Sequence, residues 1–304
     1  MTQLRLGTRG SPLALTQARM VQAALCSAHG LTPDRVDIVA IKTTGDQVQD
    51  RALAEIGGKA LWTKELDRAL LCGEIDLAVH SMKDVETLRP NSITIAAMLP
   101  RADVRDRIIG APSIEALRRG AVIGTSSPRR TAQLQRLRPD LITTLLRGNV
   151  DTRIGKVTSG AIDATLLAAA GLDRLGKADI GAPISLDTML PAPAQGAVGV
   201  ETRTGDTQAA ALVAAINDAP TMACVQAERA LLKALGGDCH SALAALAMVE
   251  PEGLFLRAAL YTPDGVGMVA GQARGPAGST HFAQALAADL LARAPGSIRA
   301  LFTA

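Results

Sequence analysis

Short apolar segments alternate with segments of helical periodicity along most of this 304-residue chain. LRLGTRGSPLAL at 4–15 and AVIGTSSPRRTAQL at 121–134 each begin as an apolar strand, continue with Gly-Thr, and open a helix with Ser-Pro. A second pair follows in the same order: GEIDLAVHS at 73–81 and GAIDATLLA at 160–168 lead from a helix-ending glycine into an apolar strand. This order predicts two related α/β domains, with chance similarity between strand–turn–helix units as the alternative.

The two Ser-Pro turns also predict a kind of binding site. Ser11 and Ser127 suit helix N-caps, and the proline that follows each suits a first helical turn. A helix N-terminus presents unpaired N–H groups and the positive end of the helix dipole, and both attract anions. Two such termini facing one cleft would hold an acidic ligand.

The rest of the chain predicts the connections and a third domain. LPRADVRDR at 99–107 and the proline-rich stretch 181–196 are the expected crossings, and AVGVE at 197–201 is typical of a strand that returns to the first domain. From about residue 219 the pattern predicts a long helix, a hairpin around Pro-Asp-Gly and a second helix at 280–295. We expect domain 1 at 1–99 plus 197–215, domain 2 at 103–193, and domain 3 at 219–304.

The composition limits the chemical class of ligand that the protein is expected to bind. Hydrophobic residues make up 48% of the chain and aromatic residues only 2%, which argues against recognition of nucleic acids or sugars by stacking. The net charge is +3, but residues 101–156 contain twelve Lys or Arg, eleven of them Arg, against five Asp or Glu. Arginine favours planar bidentate partners, so this segment indicates a carboxylate or phosphate ligand. A solvated basic helix face is the alternative for several of these arginines.

Several classes of protein are not expected. The four cysteines share no CxxC spacing and the four histidines are scattered, so we expect no metal site and no disulfide framework. No apolar run reaches the length of a membrane-spanning helix, and the N-terminal residues do not resemble a signal peptide. We therefore expect a cytoplasmic protein without a membrane or nucleic-acid partner.

A series of motifs points to one family. The blocks are TRGSPLAL at 8–15, TTGD at 43–46, IGGKALWTKEL at 56–66, DLAVHSMKDV at 76–85, GTSSPRR at 124–130, LRGNVDTR at 146–153, AGLDRLG at 170–176, PAPAQGAVGVE at 191–201, AERALL at 227–232 and LGGDCH at 235–240. The combination of HSMKDV, GTSSPRR and LRGNVDTR in this order and spacing is highly specific. Through these blocks the chain resembles the porphobilinogen deaminase (hydroxymethylbilane synthase) family over nearly its whole length.

The resemblance implies an activity and a cofactor. Members join four molecules of porphobilinogen, a pyrrole with an acetate, a propionate and an aminomethyl group, and release a linear tetrapyrrole. They carry a dipyrromethane cofactor held by a thioether, and the family's attachment cysteine corresponds to Cys239. A cysteine thiolate is a suitable nucleophile for the electrophile that this chemistry generates. Cys26, Cys72 and Cys224 are expected to be structural.

The resemblance also implies the residues of the site. Asp84 would stabilise the positive charge that develops as ammonia leaves, although an N-cap or an ion pair with Lys83 is the structural alternative. His80 and Ser81 are not expected to act as a nucleophile and base, because adjacent strand residues point to opposite faces. The residues implied to bind the substrate or cofactor carboxylates are Arg9, Ser11, Lys83, Thr125, Ser126, Ser127, Arg129, Arg130, Arg147, Arg153 and Arg174.

The chain departs from the family pattern at a few places. Glu86 stands where the family usually has proline, and Ala60 and Ala194 stand where it usually has glycine. RADVRDR replaces the common RxDPRDA block, and HSALAA after Cys239 lacks the usual proline and glycine. None of these changes removes a charged or nucleophilic group. Ala60 bears on segment 45–62, whose glycines indicate a mobile cover with Lys59 as a lid candidate.

The expected architecture fits two classes of function. It comprises two related periplasmic-binding-protein-like α/β domains flanking a cleft, plus a small α+β C-terminal domain. An enzyme of tetrapyrrole (heme) biosynthesis, expected to be a monomer, is one possibility, and a non-catalytic two-domain anion-binding protein is the other. Cys239 and Asp84 favour the enzyme, because a protein that only binds needs neither.

Overall fold

The computed structural model describes residues 3–42, 63–238 and 240–302. These residues form two compact units, Met1–Ala102 with Gly196–Met222 and Asp103–Gln195 with Ala223–Ala304. Lys59, Ala60 and Cys239 lie outside the described residues, so the predictions made for them stay predictions. The predicted boundaries of three domains also stay a prediction.

The first unit is built on a five-stranded mixed sheet. Its strands are β1 (Leu4–Arg9), β2 (Val36–Ile41), β3 (Leu77–Ser81), β4 (Ile93–Met98) and β10 (Val198–Arg203), in the order β2-β1-β3-β10-β4. β1 runs parallel to β2 and β3, whereas β10 is antiparallel to both of its neighbours. The helices are α1 (Pro12–His29), α2 (Lys64–Leu71) and α6 (Thr207–Ala214), and a 3₁₀ turn, Met82–Asp84, follows β3.

The second unit contains a sheet of the same design. Its strands are β5 (Asp106–Ile109), β6 (Val122–Gly124), β7 (Ile142–Thr144), β8 (Ala164–Ala168) and β9 (Ala182–Pro183), in the order β7-β6-β8-β5-β9. β6 is parallel to β7 and β8, and β5 is antiparallel to β8 and β9. The helices are α3 (Pro128–Leu137), α4 (Val150–Thr158) and α5 (Ala169–Arg174). The two sheets match strand for strand, as the internal repeat predicted.

The local signals that predicted the repeat are confirmed. The Ser11 hydroxyl caps α1 by accepting from the Ala14 N–H at 3.3 Å, and the Ser127 hydroxyl caps α3 by accepting from the Arg130 N–H at 3.4 Å. The glycines at 73 and 160 have φ near +70°, which glycine adopts without steric cost, and each precedes an apolar strand.

A third sheet lies in the C-terminal part of the second unit. The antiparallel strands β11 (Leu243–Glu250), β12 (Gly253–Tyr261) and β13 (Met268–Gly275) pack against α7 (Ala219–Ala234) and α8 (His281–Arg293), before a final short helix, α9 (Gly296–Arg299). The predicted hairpin is β12–β13, and the predicted helices are α7 and α8. The other face of the sheet buries Ala244, Ala259 and Tyr261 against Ala132 of α3. The fold class, two α/β sheet domains and a small C-terminal sheet domain, is confirmed.

Two kinds of feature are absent from the described residues. None of their helices is both long and apolar enough to cross a membrane. No group of three or more of their His, Cys, Asp and Glu side chains is arranged to hold a metal ion.

Candidate active site

The predicted site residues of the first unit lie where parallel strands end. Arg9 is the last residue of β1, Ser11 follows it, and Lys83 and Asp84 lie in the 3₁₀ turn after β3. Because β1 and β3 are parallel, their carboxyl ends meet at one edge of the sheet. Ligands of open α/β sheets bind at such an edge.

Several predicted residues of the second unit lie in connections or helices that follow the strands of its own sheet. Thr125, Ser126 and Ser127 connect β6 to α3, and Arg147 lies between β7 and α4. Arg174 ends α5, the helix that follows β8, and Arg153 lies in α4. A backbone hydrogen bond links the β6–α3 connection to the β7–α4 connection, because the Leu146 N–H donates to the Thr125 carbonyl at 3.3 Å.

A pocket in the first unit brings three of the predicted residues together. It has a volume of about 410 Å³, including space open to solvent, and Arg9, Ser11 and Asp84 all line it. The half-buried Asp84 side chain has no hydrogen bond or ion pair with any described residue, so it is neither an N-cap nor paired with Lys83. An acceptor without an internal partner is therefore available to a ligand. The other lining residues are Leu13, Ala14, Gln17, Thr63, Val79, His80, Ser81 and Val85.

Two of the lining residues, Gln17 and Ser81, were not predicted as site residues. The Gln17 amide donates to the Ser81 hydroxyl at 2.7 Å, which fixes both side chains in the pocket wall. Gln17 is only 2% exposed although it lies on a helix face that is otherwise apolar. A glutamine within such a face was the signal that could have identified it.

His80 and Ser81 point to opposite sides of β3, as predicted. The His80 Nε2 lies 3.2 Å from Glu201 Oε2 of β10, and both side chains are buried. Burial would raise the pKa of Glu201, but His80 and Arg89 together lower it to about 2. The wall behind the pocket therefore contains an ionised carboxylate.

The structure gives Arg129 and Arg130 a buried partner. Both guanidinium groups donate to Asp106 at 2.8 Å, and the Gln195 amide donates to the same carboxylate at 2.9 Å. Burial would raise the pKa of Asp106, but the two arginines hold it far below its usual range. Sequence reasoning did not identify this partner, because Asp106 lies more than twenty residues before either arginine. Contact of Arg129 and Arg130 with a ligand stays a prediction.

Two helix N-termini of the second unit involve predicted residues or their neighbours. The Thr125 hydroxyl accepts from the Ser127 N–H at 3.1 Å and shapes the turn before α3, while Asn149 caps α4 by accepting from the Thr152 N–H at 2.9 Å. The half-buried Arg153 donates to the Gly148 carbonyl at 2.9 Å. Burial lowers the pKa of Arg174, which Asp173 partly offsets.

The comparisons with known proteins agree with the motifs. Residues 4–211 match the family model "Porphobilinogen deaminase, dipyromethane cofactor binding domain", and residues 222–292 match "Porphobilinogen deaminase, C-terminal domain". The chain is 55% identical to the porphobilinogen deaminase of Sphingopyxis alaskensis, covering 98% of this chain and 96% of the relative. It is 48% identical to that of Paracoccus denitrificans, covering 96% and 95%. The chain therefore belongs to the porphobilinogen deaminase family.

Similarity to solved structures of other proteins is weak. The periplasmic VFT2 domain of Bordetella pertussis BvgS gives a TM-score of 0.38 at 15% identity, covering 71% of this chain and 86% of that domain. The ligand-binding component of an ABC-type import system from Staphylococcus aureus gives 0.40 at 12% identity, covering 77% and 75%.

The prediction of a dipyrromethane cofactor is confirmed by the family model that matches residues 4–211, because that model describes the dipyrromethane-binding domain.

Proposed function

We propose that this protein joins four molecules of porphobilinogen head to tail, with release of ammonia, on a dipyrromethane cofactor attached through a thioether to Cys239. The product is the linear tetrapyrrole hydroxymethylbilane, and the enzyme is a transferase of tetrapyrrole biosynthesis. Membership of the family supports this activity. The observation that carries it is Asp84, whose carboxylate has no hydrogen-bond or ion-pair partner among the described residues and lies in a pocket shared with Arg9.

Asp84 is suited to the central step. When ammonia leaves the aminomethyl group of porphobilinogen, the pyrrole becomes a cationic azafulvene. A nearby carboxylate stabilises that charge and accepts hydrogen bonds from the pyrrole N–H. It also accepts a proton once the new carbon–carbon bond has formed. Arg9, on the same pocket wall, suits a substrate carboxylate because its guanidinium donates paired hydrogen bonds.

The residues of the second unit suit the cofactor. Each ring of dipyrromethane carries two carboxylates, and the donors in these connections and helices are the side chains of Arg147, Arg153, Arg174 and Ser126 with the N-termini of α3 and α4. Charge-assisted hydrogen bonds from such groups are about twice as strong as neutral ones. When bound, the cofactor supplies the free pyrrole carbon to which the first substrate ring is joined.

Three finer points belong to the proposal. The attachment role of Cys239 rests on its place in the LGGDCH motif. A cytoplasmic location and a monomeric state are expected, and light scattering after size-exclusion chromatography tests the second. No observation favours a non-catalytic anion-binding protein.

The intact mass of the purified protein tests the proposal most directly. We expect a mass above that of the bare chain and a positive reaction with a pyrrole-detecting reagent, both lost in Cys239→Ala. Cys72→Ala is the matched control, because Cys72 is an exposed cysteine at the end of α2 and should leave mass and activity unchanged. Asp84→Ala should keep the fold and lose turnover by orders of magnitude. A bare-chain mass without pyrrole reactivity would refute the cofactor attachment.

A further inference from the structure

We infer that Glu86, together with Arg89, positions the turn that carries Asp84. The inference rests on the proposed function, because it assigns a positioning role for the same reaction. The hydrogen bonds that the Glu86 carboxylate accepts from Thr63 and Arg89 carry the inference.

Arg89 is the centre of a buried ionic cluster, here called the Arg89 cluster, made of Arg89, Asp67, Glu86 and Glu201. The guanidinium binds both oxygens of Glu201 at 2.8 Å and both oxygens of Asp67 at 2.5 and 3.0 Å. It also donates to Glu86 at 2.8 Å. The Arg89 side chain is only 8% exposed, so these bonds act where water competes little.

The three carboxylates come from three different elements. Asp67 lies in α2, Glu201 lies in β10, and Glu86 lies in the loop that leaves the 3₁₀ turn. Arg89 therefore ties this loop to one helix and one strand. Glu86 is two residues beyond Asp84, and the intervening Val85 is buried and extended, so a fixed Glu86 limits how far the turn can move.

The Arg89 cluster also contacts the wall of the Asp84 pocket. The Thr63 hydroxyl, which lines the pocket, donates to Glu86 at 2.7 Å and accepts from Arg89 at 3.2 Å. His80, a second lining residue, lies against Glu201. The cluster thus connects Asp84 to two other residues of the pocket.

Proline and glutamate would restrain this loop by different means. Proline at position 86 would fix its own φ and force the preceding residue into an extended conformation. Val85 is already extended, with φ −86° and ψ 131°, although no proline follows it. The bonds from Thr63 and Arg89 to the Glu86 carboxylate hold the chain in the conformation that proline would favour.

The test uses Glu86, because removing Arg89 would leave three carboxylates without their shared cation and threaten folding. Glu86→Ala keeps Arg89 paired with Asp67 and Glu201 but frees the loop. We expect kcat to fall by about tenfold or more, since small misplacements of catalytic groups have effects of that size. KM and the cofactor mass should change little. Glu86→Gln, whose amide oxygen still accepts from Thr63 and Arg89, should retain most of kcat.

Asp163→Ala is the matched control. It breaks a more exposed ion pair with Arg118 and a backbone hydrogen bond from Val122 in the second unit, so it removes a carboxylate with an arginine partner away from Asp84. Its kcat should equal that of the parent protein. Unchanged kcat in Glu86→Ala, or an equal loss in Asp163→Ala, would overturn the positioning role. Absence of product from the parent protein would refute the proposed function instead, so the two failures are distinguishable.

Discussion

Ala194 has a backbone conformation that alanine rarely adopts. Its φ is +60°, and it is the only residue other than glycine with positive φ among those the structure describes. Its N–H donates to the buried Glu228 carboxylate at 2.5 Å, whose other oxygen accepts from the Ala247 N–H at 2.7 Å. Glu228 of α7 thus holds the linker and β11 together, and this contact maintains the strained residue.

The effect of Ala194→Gly can be estimated from three contributions. A left-handed conformation costs a non-glycine residue about 1–2 kcal/mol, which the substitution recovers. Glycine adds about 0.4–1 kcal/mol of conformational entropy to the unfolded chain. Ala194 is 1% exposed, so the lost methyl group costs a further ~0.8 kcal/mol. These contributions nearly cancel, and we expect the unfolding free energy to change by less than about 1 kcal/mol.

Ala121→Gly is the matched comparison. Ala121 is fully buried in the same unit and has no positive φ, so its substitution loses the methyl group and gains unfolded-state entropy without relief of strain. We expect a loss of about 1–2 kcal/mol, which corresponds to a drop of roughly 2–8 °C in the melting temperature of a unit of this size. Calorimetry on both variants measures the difference. Equal losses would refute the strain assigned to Ala194.

Three further predictions concern buried contacts. Asp106→Asn leaves two buried guanidinium groups without a carboxylate, so urea denaturation should show a loss of about 3–5 kcal/mol. Glu201 has a lowered pKa of about 2 against an ordinary 4.5, so its contribution of about 3 kcal/mol is present above pH 4.5 and is lost as the pH falls towards 2. Glu201→Gln should flatten that part of a plot of melting temperature against pH. Gly199→Ala would place a Cβ 2.1 Å from the Met82 sulfur, so it should lower the melting temperature and reduce turnover by disturbing the turn that carries Asp84.

The parts of the fold that the sequence predicted are those fixed by local chemistry. Ser-Pro at positions 11 and 127 sets a helix start by side-chain capping and a fixed φ, and both act within one turn of the chain. The return of β10 to the first sheet was predicted because AVGVE is a short apolar run after a proline-rich stretch. β11 was not predicted, because LAALAMVE is rich in helix-forming residues and lacks alternation. Pairing along the whole of β12 makes it a strand.

The parts of the site that the sequence did not predict depend on partners far apart in the chain. The charge count placed Arg129 and Arg130 in an arginine-rich segment that indicates an anionic ligand. Only the fold shows that both contact Asp106. The sequence analysis predicted no role for Arg89, a single arginine after a loop. Its role in the Arg89 cluster depends on Glu201, which is more than a hundred residues later. Motifs record the type of residue that a site needs, whereas ion pairs of this kind depend on tertiary packing.

The strand order of the first sheet has a consequence for synthesis on the ribosome. β10 separates β3 from β4, yet about 100 residues lie between β4 and β10, or roughly 5–20 s of translation. During that interval β3 and β4 have no strand between them, whereas the second sheet can be completed from its own segment. The nascent chain therefore exposes unpaired strand edges until residue 203 has left the exit tunnel. A chain that is released from the ribosome before β10 is synthesised would be an aggregation-prone fragment, and chaperones should retain it.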